Sequence, residues 1–253
     1  MILKSPNYYQ ELSNLLIKNK GIPAVHDTIN YDGNHDPKLY IKTPIRHELI
    51  KNFMKSQSEI NSIQFSRLIN QLYQGKYDEE KQTASYLLKI TPKFRKLIGV
   101  QEIDKWLNYL HGWSQVDGLC QSVFTAAEFE KDWIKWEELI ISLSKDTNIN
   151  KRRASLVLLT GPVRDSNNMN LRNLAFSIIK QLQPERDILI TKAVSWLLRS
   201  LIKHHKNNVA KYLKVHQNEL PAIALRETKR KLLTGKNNLL SYIRCNKFCY
   251  FIS

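Results

Sequence analysis

Apolar residues recur at steps of three and four positions along most of the chain. Clear examples are Leu12, Leu15, Leu16; Leu49, Ile50, Phe53, Met54; Leu68, Ile69, Leu72, Tyr73; and Leu197, Leu198, Leu201, Ile202. This spacing puts the apolar side chains on one face of an α-helix, whereas no stretch longer than a few residues alternates with the period of two that a strand needs. The pattern therefore predicts an all-α fold.

Helix boundaries are indicated by proline and by polar residues. Thr43-Pro44, Thr91-Pro92 and Leu220-Pro221 place proline in a first helical turn, where a missing N–H is tolerated. Only 8 Gly and 8 Pro occur, too few turn residues for a fold with many strands. We expect helices near residues 5–18, 44–55, 62–73, 78–90, 102–110, 114–124, 129–142, 149–159, 168–182, 187–204, 207–216 and 221–233.

A dozen short helices with brief connections are typical of stacked helical pairs. This favours a HEAT-like helical-repeat solenoid, an alpha-alpha superhelix, over a four-helix bundle. HEAT-type repeats are degenerate, so the absence of a strict repeat counts little against it. We expect one domain over residues 1–236, a long loop at 19–43, and a C-terminal appendix of unknown packing at 237–253.

The charge balance points to a polyanionic partner. The chain has 39 Lys and Arg against 23 Asp and Glu, a formal net charge of +16. Residues 187–253 alone hold 13 basic and 3 acidic residues. A field of this size is typical of proteins that bind nucleic acid. The alternative is an ordinary basic surface that serves solubility.

Several classes of protein are disfavoured by what the sequence lacks. Three cysteines cannot form a disulfide framework, and no Walker A loop, GxGxxG, HExxH, GxSxG or pair of CxxC motifs is found. We therefore expect no cofactor and no metal. No signal peptide or apolar run of membrane-spanning length is found, which predicts a cytoplasmic protein; if the basic charge serves DNA binding, we expect that protein at a bacterial-type nucleoid. No heptad is evident, so we expect a monomer.

Three groups of residues could carry chemistry. Trp113 and Asp117 are four apart and share one face if helical; Arg152 and Arg153 open an apolar helix; Trp196 lies between Lys192 and Arg199. Trp113 precedes Arg153 by 40 residues, and Arg153 precedes Trp196 by 43, both near a HEAT-type period. Equivalent positions of successive repeats line one concave, here basic, face that suits duplex DNA. Alone, each group also fits an ordinary core and a solvated surface.

Four segments, in order, resemble the AlkD-like DNA glycosylases of the DNA alkylation repair family. They are W-S-Q-V-D at 113–117, K-R-R-A-S-L-V at 151–157, K-A-V-S-W-L-L-R at 192–199 and L-P-A-I-A-L-R-E at 220–227, within a similarity that spans about residues 40–236. The family often has a tryptophan ahead of its arginine pair, where this chain has Asn150-Lys151. This departure leaves open whether Arg152 or Arg153 faces DNA.

The resemblance implies a monofunctional, metal-independent glycosylase that excises N3- and N7-alkylated purines, such as 3-methyladenine and 7-methylguanine, from duplex DNA. By the same resemblance, Asp117 is the catalytic carboxylate and Trp113 and Trp196 flank the deoxyribose of the lesion. Arg153 contacts a phosphate. The basic residues expected to rim the DNA are Arg152, Arg153, Lys192, Arg199, Arg226 and Lys229.

Two other functions remain open from the sequence. One is a family member without catalysis that acts as a structure-specific DNA-binding module. The other is a HEAT-like protein scaffold whose charges form a solvated face; its DNA affinity would be weak and insensitive to salt.

Overall fold

Helices dominate the computed structural model, which describes residues 7–23, 32–121 and 123–235. Within these ranges there are thirteen α-helices and no strand, so the expectation of an all-α fold is confirmed. The chain divides into two compact units, and the boundary between them falls within one of the helices. The first unit is Met1–Leu139 and the second unit is Ile140–Ser253. The appendix predicted at 237–253 lies outside the described residues.

The first unit contains eight helices and most of a ninth. They are α1 (Tyr8–Lys18), α2 (Thr43–Ser56), α3 (Ser62–Tyr73), α4 (Asp78–Ile90), α5 (Pro92–Arg95), α6 (Glu102–Leu107), α7 (Gly112–Cys120), α8 (Ala126–Lys131) and α9 (Trp133–Ser144), which crosses into the second unit. Helix α4 packs against α2, α3 and α7. Its central position explains why its apolar face, with Leu87 and Leu88, is fully buried.

The second unit contains the remaining helices, α10 (Ile149–Asp165), α11 (Met169–Leu182), α12 (Ile188–Val215) and α13 (Ala222–Thr234). Helix α12 packs against α10, α11 and α13. Most of α10 is buried, including Leu156 and Leu159, and Leu197 and Leu201 of α12 are buried as well. These apolar residues form the core of the second unit.

Most helices lie within three residues of their expected positions, and the differences have physical causes. Helix α10 continues through Pro162 to Asp165, although the sequence predicts its end at Leu159. Pro162 is buried, and packing of this turn outweighs the hydrogen bond that proline removes. The expected break after residue 204 is present as a kink at His205, whose φ of −127° and ψ of 38° are not helical. The four- and six-residue helices α5 and α8 are too short to give a periodic signal.

None of the described helices combines the length and the apolar character that a bilayer span requires.

Candidate active site

Helix α7, which carries Trp113 and Asp117, begins at a position that only glycine can occupy. Gly112 has a φ of +68°, and a Cβ at this position would overlap the carbonyl oxygen of Asp32. A side chain would be strained in this left-handed conformation even if space were available. The same carbonyl of Asp32 accepts a hydrogen bond from the backbone N–H of Trp113 at 2.9 Å. The start of α7 is therefore fixed against the loop before α2.

Side chains add to this attachment. The Ser114 hydroxyl donates to Oδ2 of Asp32 at 2.9 Å. The amide of Gln115, which is 1% exposed, donates to Asp36 at 2.7 Å and to Asp78 at 2.8 Å. Residues 32–36 and the start of α4 thus both hold the first turn of α7. This gives part of the long loop expected at 19–43 a structural role.

Three consecutive carboxylates, Asp78, Glu79 and Glu80, open α4, and all three are buried. Glu79 accepts the backbone N–H of Leu39 at 2.8 Å. Burial raises the pKa of Asp78, and the hydrogen bond from Gln115 opposes that rise. These carboxylates therefore accept hydrogen bonds from groups inside the protein. They hold the loop and α7 in place and do not contribute charge at an open surface.

Trp113 and Asp117 share one face of α7, as the sequence predicts. Both side chains are half-buried, whereas Val116 and Leu119 on the opposite side are fully buried in the first unit. The position after Asp117 is Gly118, which is exposed and whose backbone lies against Ser85 of α4. The arrangement places an aromatic ring and a carboxylate side by side at the edge of the core.

The arginine pair lies on the first turns of α10, and its two members have different surroundings. Arg152 forms a two-pronged ion pair with Glu185, with distances of 2.8 Å from Nε and 3.1 Å from Nη2. Its Nη1 donates to the carbonyls of Asp146 and Thr147. Arg153 is 4% exposed, and its Nη1 donates to the carbonyl of Leu189. Both arginines therefore help to hold the second unit together.

Trp196 and Arg199 lie on α12. Trp196 is half-buried. Arg199 is 3.5 Å from the carboxylate of Glu227 on α13, which also accepts a hydrogen bond from the Ser195 hydroxyl at 2.6 Å. Burial lowers the pKa of Arg199, and Glu227 opposes the shift. This pair joins α12 to α13.

The other expected cations are at the surface of the second unit. Lys192 on α12 and Arg226 and Lys229 on α13 are all exposed. Lys192, Trp196 and Arg199 follow at steps of four and three, so they share one face of α12. The structure thus places Trp113 and Asp117 on one helix of the first unit, and the other candidates on α10, α12 and α13 of the second unit.

A cavity of about 230 Å³ lies in the first unit, away from these residues. Arg95, Trp106, Phe124, Glu128 and Trp136 are among its lining residues, and neither Trp113 nor Asp117 is. Arg95 and Glu128 form a two-pronged ion pair across it, at 3.0 and 2.8 Å. In the described part of the chain, no group of three or more His, Cys, Asp and Glu side chains could hold a metal ion.

Sequence reasoning missed two features of the first unit. One is the attachment of α7 to the loop, for which Gly112 directly before Trp113 was the available signal. The other is a stacked pair formed by His47 of α2 and Tyr86 of α4. These two residues are 39 positions apart, and no periodic pattern connects them.

Comparisons with known proteins confirm the resemblance to the DNA alkylation repair family. Residues 17–232 match a family model described as DNA alkylation repair enzyme. A solved structure from Enterococcus faecalis, described as a predicted DNA alkylation repair enzyme, is 18% identical with a TM-score of 0.64. That match covers 92% of this chain and 99% of the other. No match was found among curated proteins.

The structural match supports the helical-repeat fold, since at this identity it bears on the fold alone. The family match covers most of the described helices, from the end of α1 into α13. The chain therefore belongs to the DNA alkylation repair enzyme family.

Proposed function

We propose that this protein is a monofunctional DNA glycosylase. It would hydrolyse the N-glycosidic bond of cationic N3- and N7-alkylated purines, such as 3-methyladenine and 7-methylguanine, in duplex DNA, and act as a monomer without a cofactor. The observation that carries this proposal is the Trp113 and Asp117 pair on α7, in a chain of the DNA alkylation repair enzyme family.

The chemistry needs few groups because the substrate is already activated. An alkylated purine carries a positive charge and leaves without being protonated, so the barrier lies in the oxocarbenium-like sugar. A carboxylate near that sugar stabilises it. At 4 Å and an effective dielectric constant of 20, two unit charges interact by about 4 kcal/mol, roughly a thousandfold in rate before desolvation is subtracted. Asp117 would supply this charge and position the attacking water.

Trp113 and Trp196 would face the deoxyribose. The face of an indole ring attracts a cation by roughly 0.5 to 2 kcal/mol. Two such faces add to the effect of Asp117 without protonating or deprotonating anything. Selectivity would then come from the leaving group itself, because an alkylated purine in DNA is cationic and a normal purine is neutral.

Phosphate contacts would come from the second unit. Lys192, Arg226 and Lys229 are exposed, so their charges are accessible to DNA. Arg199 would add to this field although it pairs with Glu227. Of the arginine pair, we propose Arg153 for the phosphate beside the lesion on the family resemblance alone, since Arg153 is 4% exposed and its Nη1 donates to the carbonyl of Leu189.

The decisive test is the Asp117→Asn variant. We expect its release of 7-methylguanine from alkylated duplex DNA, measured in single turnover, to fall by roughly a hundredfold or more. Binding to undamaged duplex should remain. The matched control is Asp104→Asn, the same substitution at a half-buried position of α6, which should release base at the wild-type rate.

Two results would contradict the proposal. Wild-type release by Asp117→Asn would exclude the assigned mechanism. Tight binding of branched DNA by the wild-type protein, with no base release, would instead favour the structure-specific binding module.

A further inference from the structure

A stacked aromatic pair lies on the surface of the first unit, apart from Trp113 and Asp117. The ring centroids of His47 on α2 and Tyr86 on α4 are 3.6 Å apart, and the ring planes differ by 3°. Both side chains are half-buried, so part of the stack is open to solvent. The pair is thus a polar aromatic surface and not a piece of the core.

Two lysines flank this pair. Lys51 follows His47 by one helical turn on α2, and Lys89 follows Tyr86 by three residues on α4; both are exposed. Burial, followed by the charges of Arg46, Lys51 and Lys89, holds the pKa of His47 below its ordinary value. The local field at the stack is therefore positive, even though Glu48 is its neighbour on α2.

Nothing in the described part of the chain neutralises these lysines, because neither Lys51 nor Lys89 has an ion-pair partner there. The acids that open α4 are engaged elsewhere. Glu80, for example, accepts hydrogen bonds from the Ser13 hydroxyl at 2.7 Å and from the backbone N–H of Tyr77 at 2.8 Å. Glu80 thus uses its carboxylate oxygens inside the protein and forms no ion pair with Lys51 or Lys89.

The helix that carries Tyr86 also packs against the helix that carries the candidate carboxylate. Ser85 precedes Tyr86 on α4, and its hydroxyl lies 3.7 Å from where a Cβ on Gly118 would be. Gly118 in turn follows Asp117 on α7. One helix contact inside the first unit therefore connects the stack and Asp117.

We infer that His47, Lys51, Tyr86 and Lys89, here called the α2–α4 patch, bind the phosphate backbone of duplex DNA beside the damaged nucleotide. The ammonium groups, the imidazole N–H and the phenol O–H are all donors for phosphate oxygens. Charge complementarity identifies the occupant, since the patch has four donors, and its two lysines form no ion pair within the described residues. The inference rests on the proposed function, because it extends the DNA that Asp117 would act on over the first unit.

The test compares two double variants of the full chain. Lys51→Ala with Lys89→Ala removes the charge of the patch, and Lys18→Ala with Lys105→Ala removes the same charge from exposed positions of α1 and α6. Binding of undamaged duplex is measured by fluorescence anisotropy over about 0.05 to 0.3 M salt. Thermal unfolding confirms that both variants are folded.

Each lost phosphate contact lowers the slope of log affinity against log salt by about 0.9, so the patch variant should lose about 1.8. Near 0.1 M salt this equals a roughly fiftyfold loss of affinity. The control variant should stay within about twofold of the wild type, since the inference gives Lys18 and Lys105 no phosphate contact and salt screens exposed charges that make none. In addition, NMR titration should show that undamaged duplex raises the pKa of His47 by adding negative charge next to it.

Three results would overturn the inference: a salt slope in the patch variant equal to that of the wild type, an equal loss in the control variant, or no DNA binding by the wild-type protein. The glycosylase proposal fails separately. If the wild-type protein releases no base while the patch variant still loses slope, the patch stands and the assigned chemistry falls. If the wild-type protein releases base and the patch variant keeps the wild-type salt slope, the glycosylase proposal stands and the inference about the patch falls.

Discussion

The two compact units differ sharply in charge. Residues 1–139 have 18 Lys and Arg and 17 Asp and Glu, whereas residues 140–253 have 21 and 6. The second unit therefore carries +15 of the net +16. Yet the first unit contains Asp117, the residue on which the proposed reaction depends.

The use of carboxylates explains this difference. In the first unit, Asp32, Asp36 and Asp78 hold the loop and α7 in place. In the second unit, three of the six described acids pair with arginines: Asp165 with Arg164, Glu185 with Arg152 and Glu227 with Arg199. The first unit thus uses acids to position a helix, and the second leaves a surplus of cations. The first unit thus positions the reacting carboxylate, and the second unit carries most of the net charge that attracts the polyanion.

The largest effect is expected from removing exposed cations of the second unit. Lys192→Ala, Arg226→Ala and Lys229→Ala together should weaken binding of duplex DNA by more than about a hundredfold near 0.1 M salt, with a salt slope smaller by about 2.7. The measurement is a salt titration of anisotropy. Lys18→Ala, Lys105→Ala and Lys135→Ala in the first unit form the matched control. Equal losses of DNA affinity in the two triple variants would show that the cations of the second unit matter no more for binding than those of the first.

A test of helix positioning in the first unit is Gly112→Ala. The left-handed backbone and the overlap with Asp32 should lower the free energy of unfolding by about 2 to 3 kcal/mol. Gly118→Ala, in the same helix, has room for a methyl group and should leave stability unchanged or raise it by up to about 1 kcal/mol. Urea denaturation measures both. Similar values for the two variants would show that the contact with Asp32 does not hold α7.

The role of Arg152 can be separated from that of the exposed cations. Arg152→Met breaks the pair with Glu185 and two hydrogen bonds to carbonyls, and we expect a loss of about 1 to 2 kcal/mol in the free energy of unfolding. Arg226→Met should change stability by less than about 0.5 kcal/mol. For DNA binding, we expect Arg226→Met to lose more affinity than Arg152→Met. A larger affinity loss for Arg152→Met than for Arg226→Met would show that Arg152 itself contacts phosphate.

The smallest effect concerns pH and the ion pair of the first unit. Burial alone would raise the pKa of Glu128, but hydrogen bonds from Arg95 and Thr125 outweigh it and hold the pKa below 4.5. A lowered folded-state pKa gives stability that is present above the unfolded-state value and is lost as pH falls through the folded-state value. Glu128→Gln should therefore cost less than about 1 kcal/mol near pH 6 and clearly less near pH 3. Urea denaturation at both pH values checks this, and a constant difference would contradict it.

The sequence predicts the helices well because their apolar spacing is repeated over three or more turns. It also predicts that Trp113 and Asp117 share a face, since that requires only one regular helix. Partners distant in sequence leave no such signal. Glu185 lies 33 residues from Arg152, and the stack of His47 on Tyr86 joins two helices through side chains alone. The pairing of α12 with α13 through Glu227 is of the same kind.

The hydrogen bond from Ser114 to Asp32 joins residues 82 positions apart. Closing a ring of that length costs about 4 kcal/mol of chain entropy by the (3/2)RT ln n relation, before any constant term. Contacts of this range form after local helices do. The helix that carries Asp117 can therefore form early, whereas its orientation is fixed only later, when Ser114 meets Asp32. A fragment that starts at α2 would keep the carboxylate but lose the contacts of Asp32, so it would be expected to retain its helices and lose its chemistry.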